Sequence, residues 1–115
     1  MLTIPAATAI YLHTRPTDMR KGIDGLSGIV RGEFGGDPLD GSWYLFVNRR
    51  RDRLKMLYWD GSGFWVFYKL LERGTFEVPP SGDGRLMIDA TQLAMLLGGV
   101  SLVDVKRRQR YRRAS

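Results

Sequence analysis

Residues 48–74 read NRRRDRLKMLYWDGSGFWVFYKLLERG, and the fold turns on how this stretch is divided. Arg49, Arg50, Arg51, Arg53 and Lys55 stand directly before six aromatics: Tyr58, Trp59, Phe64, Trp65, Phe67 and Tyr68. Basic and aromatic residues side by side build nucleic-acid surfaces. They equally mark a hairpin whose strands are buried and whose loop is wet. Asp60-Gly61 is a tight-turn dipeptide between two apolar runs, which predicts strands over 53–59 and 64–70 joined by DGSG. The preceding SWYLFV, residues 42–47, predicts a further strand turned by NRRRD. Residues 42–70 thus read as a three-stranded antiparallel meander.

Parity then sorts the side chains of the second hairpin. One face gathers Arg53, Lys55, Leu57, Trp59, Phe64, Val66, Tyr68 and Leu70, and the other gathers Leu54, Met56, Tyr58, Trp65, Phe67 and Lys69. Both faces are apolar near DGSG and basic at the far end. A sheet with one wet face would show one polar set, so this sheet is covered twice. Helices cover one side; the rest of the chain, a second copy of the protein or a partner covers the other. Trp59, Phe64, Trp65 and Phe67 therefore read as core or interface rather than as base-stacking platforms. Arg49, Arg50 and Arg51 fall on a loop tip, because burying unpaired charge is costly. That tip is either a solvated loop or a phosphate contact.

Moving outward, TAIYLHT (8–14) is short, β-branched and aromatic, and predicts a strand ending before Arg15-Pro16. In PTDMRKGIDGLSGIVRGEFGG, Thr17 or Asp18 is placed to cap a helix carrying Ile23, Leu26, Ile29 and Val30 at helical spacing. Gly22, Gly25, Gly28 and Gly32 each weaken that helix by roughly 1 kcal/mol relative to alanine. Either the glycines allow close packing on the sheet, or the helix is shorter than its pattern. Gly35, Gly36 and Pro38 stop it. After the loop EVPPSGDG, RLMI (85–88) predicts a short strand. DATQLAMLLGG (89–99) predicts a helix opened by a capping box of Asp89 and Gln92 and closed by glycine.

The chain of 115 residues is one domain with a modest core. It has no cysteine, so neither a disulfide framework nor a thiolate metal site is on offer. No apolar run approaches the roughly 20 residues needed to span a bilayer, and the N-terminal residues lack the basic start of a signal peptide. A cytoplasmic protein is the expectation. The net charge of +6 is concentrated: Lys106, Arg107, Arg108, Arg110, Arg112 and Arg113 account for all of it. The division is a domain over 1–105 and a basic tail over 106–115. The tail reads either as a solubilising end or as an attachment to DNA or RNA, since clustered Lys and Arg displace counterions from phosphates.

Catalytic chemistry finds little support. His13 is the only histidine, with no carboxylate at a metal-ligand spacing, and reads as a surface or packing residue. The nine aspartates sit mostly beside glycine or proline, as turn and cap residues do. Asp18, Asp24 and Asp60 are a conceivable divalent-metal set, but two-metal phosphoryl transfer needs carboxylates converging on ions roughly 4 Å apart. Nothing in the sequence brings these together. Gly22-x-x-Gly25-x-x-Gly28 lacks the GK[ST] signature of a phosphate loop.

Two stretches carry a family resemblance: PTDMRKGIDGL (16–26) and RDRLKMLYWDGSGFWVFYKLLERGTFEVP (51–79), followed by a Leu-rich helix ending LLGGVSL. Over residues 8–103 the chain resembles the TnpB accessory proteins of bacterial insertion sequences of the IS66 type. Asp18, Met19, Arg20, Lys21 and Gly22 match one motif; Tyr58, Trp59, Asp60, Gly61, Gly63 and Phe64 match the other. The resemblance implies a second reading frame acting beside a small companion protein and a large DDE transposase. It implies no catalytic residues, cofactor or metal.

Together these readings predict an α+β fold, a mainly antiparallel sheet built on the meander with two helices packed on it. The expected function is non-catalytic help in DNA transposition, with DNA at the insertion-sequence ends, the transposase and the companion protein as partners. A homodimer is also open, and no membrane is involved. The candidate nucleic-acid contacts are Arg49, Arg50, Arg51, Arg53 and the tail's Lys106, Arg107, Arg108, Arg110, Arg112 and Arg113. The alternatives are a protein-docking module with no direct DNA role, and a metal-dependent nuclease-like activity.

Overall fold

A computed structural model of the chain describes residues 8–99. Within them lie five strands: β1 (Ile10–His13), β2 (Trp43–Val47), β3 (Arg53–Trp59), β4 (Phe64–Leu70) and β5 (Arg85–Ile88). They form one mixed sheet in the order β4-β3-β2-β1-β5. β2 pairs antiparallel with β3, β3 with β4, and β1 with β5. β1 lies parallel to β2. The N-terminal strand is thus an interior strand of the sheet. A parallel neighbour needs a crossover rather than a hairpin, and residues 14–42 supply it with a helix, α1 (Ile23–Ile29).

Side chains stand in cross-strand rows. On one face Ile88, Ile10, Trp43, Tyr58 and Trp65 are in register, and beside them Leu86, Leu12, Leu45, Met56 and Phe67. α2 (Ala90–Leu97) covers this face with Leu93 and Leu96, and the segment after β4 adds Phe76 and Val78. On the opposite face Tyr44, Phe46 and Leu57 meet Leu26, Val30 and Phe34 of the crossover. Both faces are therefore covered by the chain itself, one helix to each.

α2 begins as its sequence dictates. Asp89 accepts from the Gln92 amide at 2.7 Å, and Gln92 accepts in return from the Asp89 amide at 2.9 Å. α1 departs from expectation. Its N-cap is Gly22, with no side-chain cap: the Thr17 backbone is held to the sheet by its amide's bond to Val47 O at 2.8 Å, five residues before the cap, and Asp18 holds Arg20. After seven residues the helix widens into a π-helical turn, Val30–Phe34, closed by Gly35 at φ 64°. Of the two explanations for the glycines, the shorter helix holds. A Cβ at Gly28 or Gly32 would meet nothing within 4 Å.

Trp65 is also placed differently from expectation. β4 is the last strand of the sheet, and Trp65 is 50% exposed, with Tyr68 and Leu70 similarly open. Trp59, Phe64 and Phe67 are half-buried. His13 is packed: it is buried between Phe34 and Phe46, with Nδ1 against Arg15 O at 2.9 Å and Nε2 against Glu33.

Candidate nucleic-acid interface

Two loops leave the carboxyl ends of the parallel pair. Residues 14–22 follow β1 and carry the motif Asp18-Met19-Arg20-Lys21-Gly22; residues 48–52 follow β2 and carry the arginine run. In open sheets with parallel strands, the ends of such strands are where loops converge and ligands settle. Here they enclose a cleft of about 610 Å³ lined by Pro16, Thr17, Asp18, Met19, Asn48, Arg49, Arg50, Asp52 and Arg53. Stretches 30 residues apart in sequence thus form one site.

The second wall is held by Asn48. Its Oδ1 accepts from the amides of Asp52 (3.1 Å) and Arg53 (3.0 Å), and its Nδ2 donates to Asp52 Oδ1 at 2.7 Å. Asn48 closes the loop as an Asx turn does. Arg51 takes the left-handed conformation at φ 60°, which turns the chain back into β3. Its carbonyl accepts from Phe76 N at 2.6 Å and its guanidinium donates to Val78 O at 3.4 Å. Arg51 therefore binds the tip to the segment after β4 and does not line the cleft.

The first wall is tied to the sheet by Lys55. From β3 its Nζ donates to Met19 O at 2.7 Å and Lys21 O at 2.9 Å, and it lies 5.4 Å from the centre of the Tyr68 ring. In the same loop the Arg20 guanidinium forks onto Asp18, donating from Nη2 at 2.7 Å and from Nε at 3.0 Å. These hydrogen bonds hold the Asp18 carboxyl down at about 2. Arg20 is otherwise open to solvent.

The electrostatic outcome favours an anion. Of the two carboxylates in the cleft, Asp18 is paired with Arg20, while Asp52 is bonded by the neutral Asn48 amide and keeps its charge against Arg49, Arg50 and Arg53. Arg53 donates to Tyr68 Oη at 2.9 Å, which fixes its direction while leaving its charge unneutralised. Among the described residues neither Arg49 nor Arg50 has a hydrogen-bond or ion-pair partner, and both are exposed. Thr17 lines the same cleft with a buried Oγ1 that has no partner among the described residues.

Of the arginines expected to contact nucleic acid, the structure brings Arg49, Arg50 and Arg53 to the cleft and assigns Arg51 to the scaffold. The run from Lys106 to Arg113 lies outside the described residues. Thr17, Asn48 and Asp52 were not legible as site residues. Their one signal is the Asn-x-x-x-Asp spacing of a self-bonded loop. Asp18, Asp24 and Asp60 do not gather: among the described residues no three of His, Asp and Glu converge in a metal-binding group. Also among these residues, no helix is long and apolar enough to cross a membrane.

The second motif, Tyr58 to Phe64, lies at the other end of the β3–β4 hairpin. Asp60 Oδ1 accepts from Ser62 N (2.8 Å), Ser62 Oγ (3.0 Å) and Gly63 N (2.9 Å), and Gly61 sits at φ 100°. Trp59 meets Phe64 edge-on across the hairpin, and Tyr58 stacks on Trp43 with ring centres 4.5 Å apart. Tyr58, Trp59, Asp60, Gly61 and Phe64 are accounted for by the turn and the packing around it, while Gly63 takes part through its backbone alone.

The chain is 38% identical over 99 residues to the uncharacterized protein y4jC of Sinorhizobium fredii, covering 86% of this chain and 85% of that one. It is 36% identical to a second uncharacterized protein of the same organism, y4hO, over 79% of each chain. No solved structure matches it. The IS66 Orf2-like family model matches residues 8–107, so the likeness extends past 103 to take in Lys106 and Arg107 of the basic run. By that match the chain belongs to the IS66 Orf2-like proteins, the transposition accessory family of IS66 elements.

Proposed function

We propose that the protein serves transposition of an IS66-type element as a non-catalytic accessory factor that grips DNA by its phosphates in the basic cleft. One observation carries the reading: Arg49 and Arg50 stand unpartnered among the described residues on a cleft where, with Asp18 paired to Arg20, three arginines face the single charge of Asp52. Guanidinium forks engage phosphate oxygens in paired hydrogen bonds. The site residues are positioning groups, with no nucleophile–base pair among them. The chain's excess charge, net +6, supports attraction to a polyanion from a distance.

Titration of a fluorescent DNA duplex tests the idea. The double variant Arg49→Ala/Arg50→Ala is expected to lower affinity at least tenfold and to flatten the plot of log affinity against log salt by about one unit per lost phosphate contact. Unchanged affinity and slope would reject the cleft as the DNA site.

A further inference from the structure

β4 ends the sheet, and among the described residues nothing pairs with its outer edge. Exposed edge strands are normally kept short, kinked, or guarded by charge and proline. β5, the opposite edge, follows that rule: it has four residues and opens with Arg85. β4 does not. It has seven residues, FWVFYKL, without proline, glycine or bulge, and it pairs residue for residue with β3. Its only charge, Lys69, is drawn onto Leu97 O at 2.7 Å.

The backbone phase of this edge is fixed. Asp60 N donates to Gly63 O and Leu71 N donates to Asp52 O, both in the register of the β3–β4 ladder. Bonded and non-bonded pairs alternate along an antiparallel ladder. Trp65, Phe67 and Lys69 therefore turn their amides and carbonyls inward to β3. Phe64, Val66, Tyr68 and Leu70 turn theirs outward. A strand added antiparallel must bring its own outward residues opposite these four.

A second copy of β4 does so over its full length when the two-fold axis passes through Phe67. The outward pairs are then Phe64 with Leu70 and Val66 with Tyr68, each formed twice. The non-bonded pairs are Trp65 with Lys69, a cation beside an aromatic face, and Phe67 with itself. No like charges meet. Tyr68 and Leu70, each about half exposed, gain apolar neighbours across the seam, and the half-exposed Trp65 gains Lys69.

We infer that the β4 edges of two copies pair antiparallel about Phe67, joining the sheets into one of ten strands through about eight backbone hydrogen bonds. The symmetry is isologous, so the assembly closes at two and leaves no edge of this kind open. It does not depend on the DNA reading, since the basic cleft uses neither the outward backbone of β4 nor Trp65.

Sedimentation of the full chain over a range of micromolar concentrations tests the pairing. The expected mass is twice 13.1 kDa. Tyr68→Pro removes an outward amide while sparing the β3 ladder, as proline on an edge strand can, and should give the monomer mass with an unchanged far-UV spectrum. Trp65→Lys sets two lysines opposite each other and should weaken dimerisation at least tenfold; Trp65→Glu, which faces Lys69 with opposite charge, should weaken it less. A parent that stays monomeric overturns the inference. So does a folded Tyr68→Pro dimer. Should Tyr68→Pro unfold, equal dimerisation of Trp65→Lys and Trp65→Glu overturns it.

Discussion

The indole N–H of Trp65 donates to Asp60 Oδ2 at 2.8 Å, so the aromatic plane is held by the same carboxylate that closes the turn before it. The other oxygen of Asp60 takes three further hydrogen bonds from Ser62 and Gly63. One side chain thereby ties the bend of the hairpin to its first outward-leaning ring. Trp65 stacks in turn on Phe67, and Phe67 on the buried Trp43, with ring centres 5.8 and 5.7 Å apart.

That carboxylate gives the fold an acid dependence. Hydrogen bonds from the Ser62 amide first, then from the Trp65 indole and the Gly63 amide, lower its pKa from the ordinary 3.8 to about 2. A group lowered on folding contributes stability that is fully present above its unfolded pKa and disappears as pH falls through its folded value. The loss should run from about pH 4 down to about pH 2, with Asp18, also held at about 2, adding in the same window. Asp60→Asn should be less stable than the parent at pH 7 and should lose less on acidification. Urea unfolding at a series of pH values checks this, and parallel pH slopes would refute it.

Trp65 and Trp43 should respond unequally to truncation despite sharing a row. Trp43→Ala empties a fully buried site and should cost about 3–5 kcal/mol. Trp65→Ala loses a half-exposed ring and one hydrogen bond, and should cost about 1–2 kcal/mol. Trp43→Phe should cost less than its lost volume suggests, because the buried Trp43 Nε1 has no partner among the described residues. Equilibrium unfolding of the three variants ranks them, and a larger loss for Trp65→Ala than for Trp43→Ala would contradict the structure.

Lys55→Met removes the donor shared by Met19 O and Lys21 O. Hydrogen bonds to a charged group contribute about 1.5–3 kcal/mol, so stability should fall by about that amount. DNA affinity should also fall, through loosening of the Asp18–Gly22 wall, although Lys55 is not in the cleft. Hydrogen exchange of residues 17–22 reports the loosening, and unchanged protection there would count against a tethering role.

Arg51 should separate from its two neighbours. Glycine tolerates φ 60° without the cost of about 1–2 kcal/mol that a side chain meets there, so Arg51→Gly should melt no lower than Arg51→Ala. Arg49→Ala and Arg50→Ala should leave stability within about 0.5 kcal/mol of the parent and act on partners. Loss of DNA binding alone supports the phosphate clamp. Loss of transposase capture alone supports docking, and parental transposition in cells with both replaced leaves only a solvated loop.

Deleting residues 106–115 should weaken DNA binding and reduce the salt slope, because six of the chain's basic residues go with it. Affinity measured at several salt concentrations, with and without the deletion, decides whether the cleft alone accounts for the slope.

Strands β3, β4 and β5 and the capping box of α2 were legible residue by residue, because alternation, turn dipeptides and caps are local signals. The two faces of the hairpin were legible for the same reason. Whether a strand is central or terminal is a property of the whole sheet, so Trp65 and Phe67, identical in pattern, were read alike and differ in exposure. The cap of α1 falls at Gly22 rather than at Thr17 or Asp18 because the Thr17 backbone is fixed to Val47, 30 residues away, and the Asp18 carboxylate is taken by Arg20. Arg49, Arg50 and Arg53 were found by their charge. Their meeting with Thr17 and Asp18 follows from β1 lying parallel to β2, a long-range pairing with no local trace.

The interior position of β1 sets an order of events during synthesis. Strands β2, β3 and β4 follow one another directly and need only short loops to close. β1 leaves the ribosome first, yet its second neighbour, β5, and the Leu93 and Leu96 that pack with Ile10 and Leu12 emerge last. A nascent chain halted before residue 85 holds β1 by one ladder and lacks the cover of Ile88, Leu93 and Leu96. Cooperative folding therefore waits for nearly the whole chain, and shortening it before Leu97 should yield protease-sensitive chains rather than a smaller stable domain.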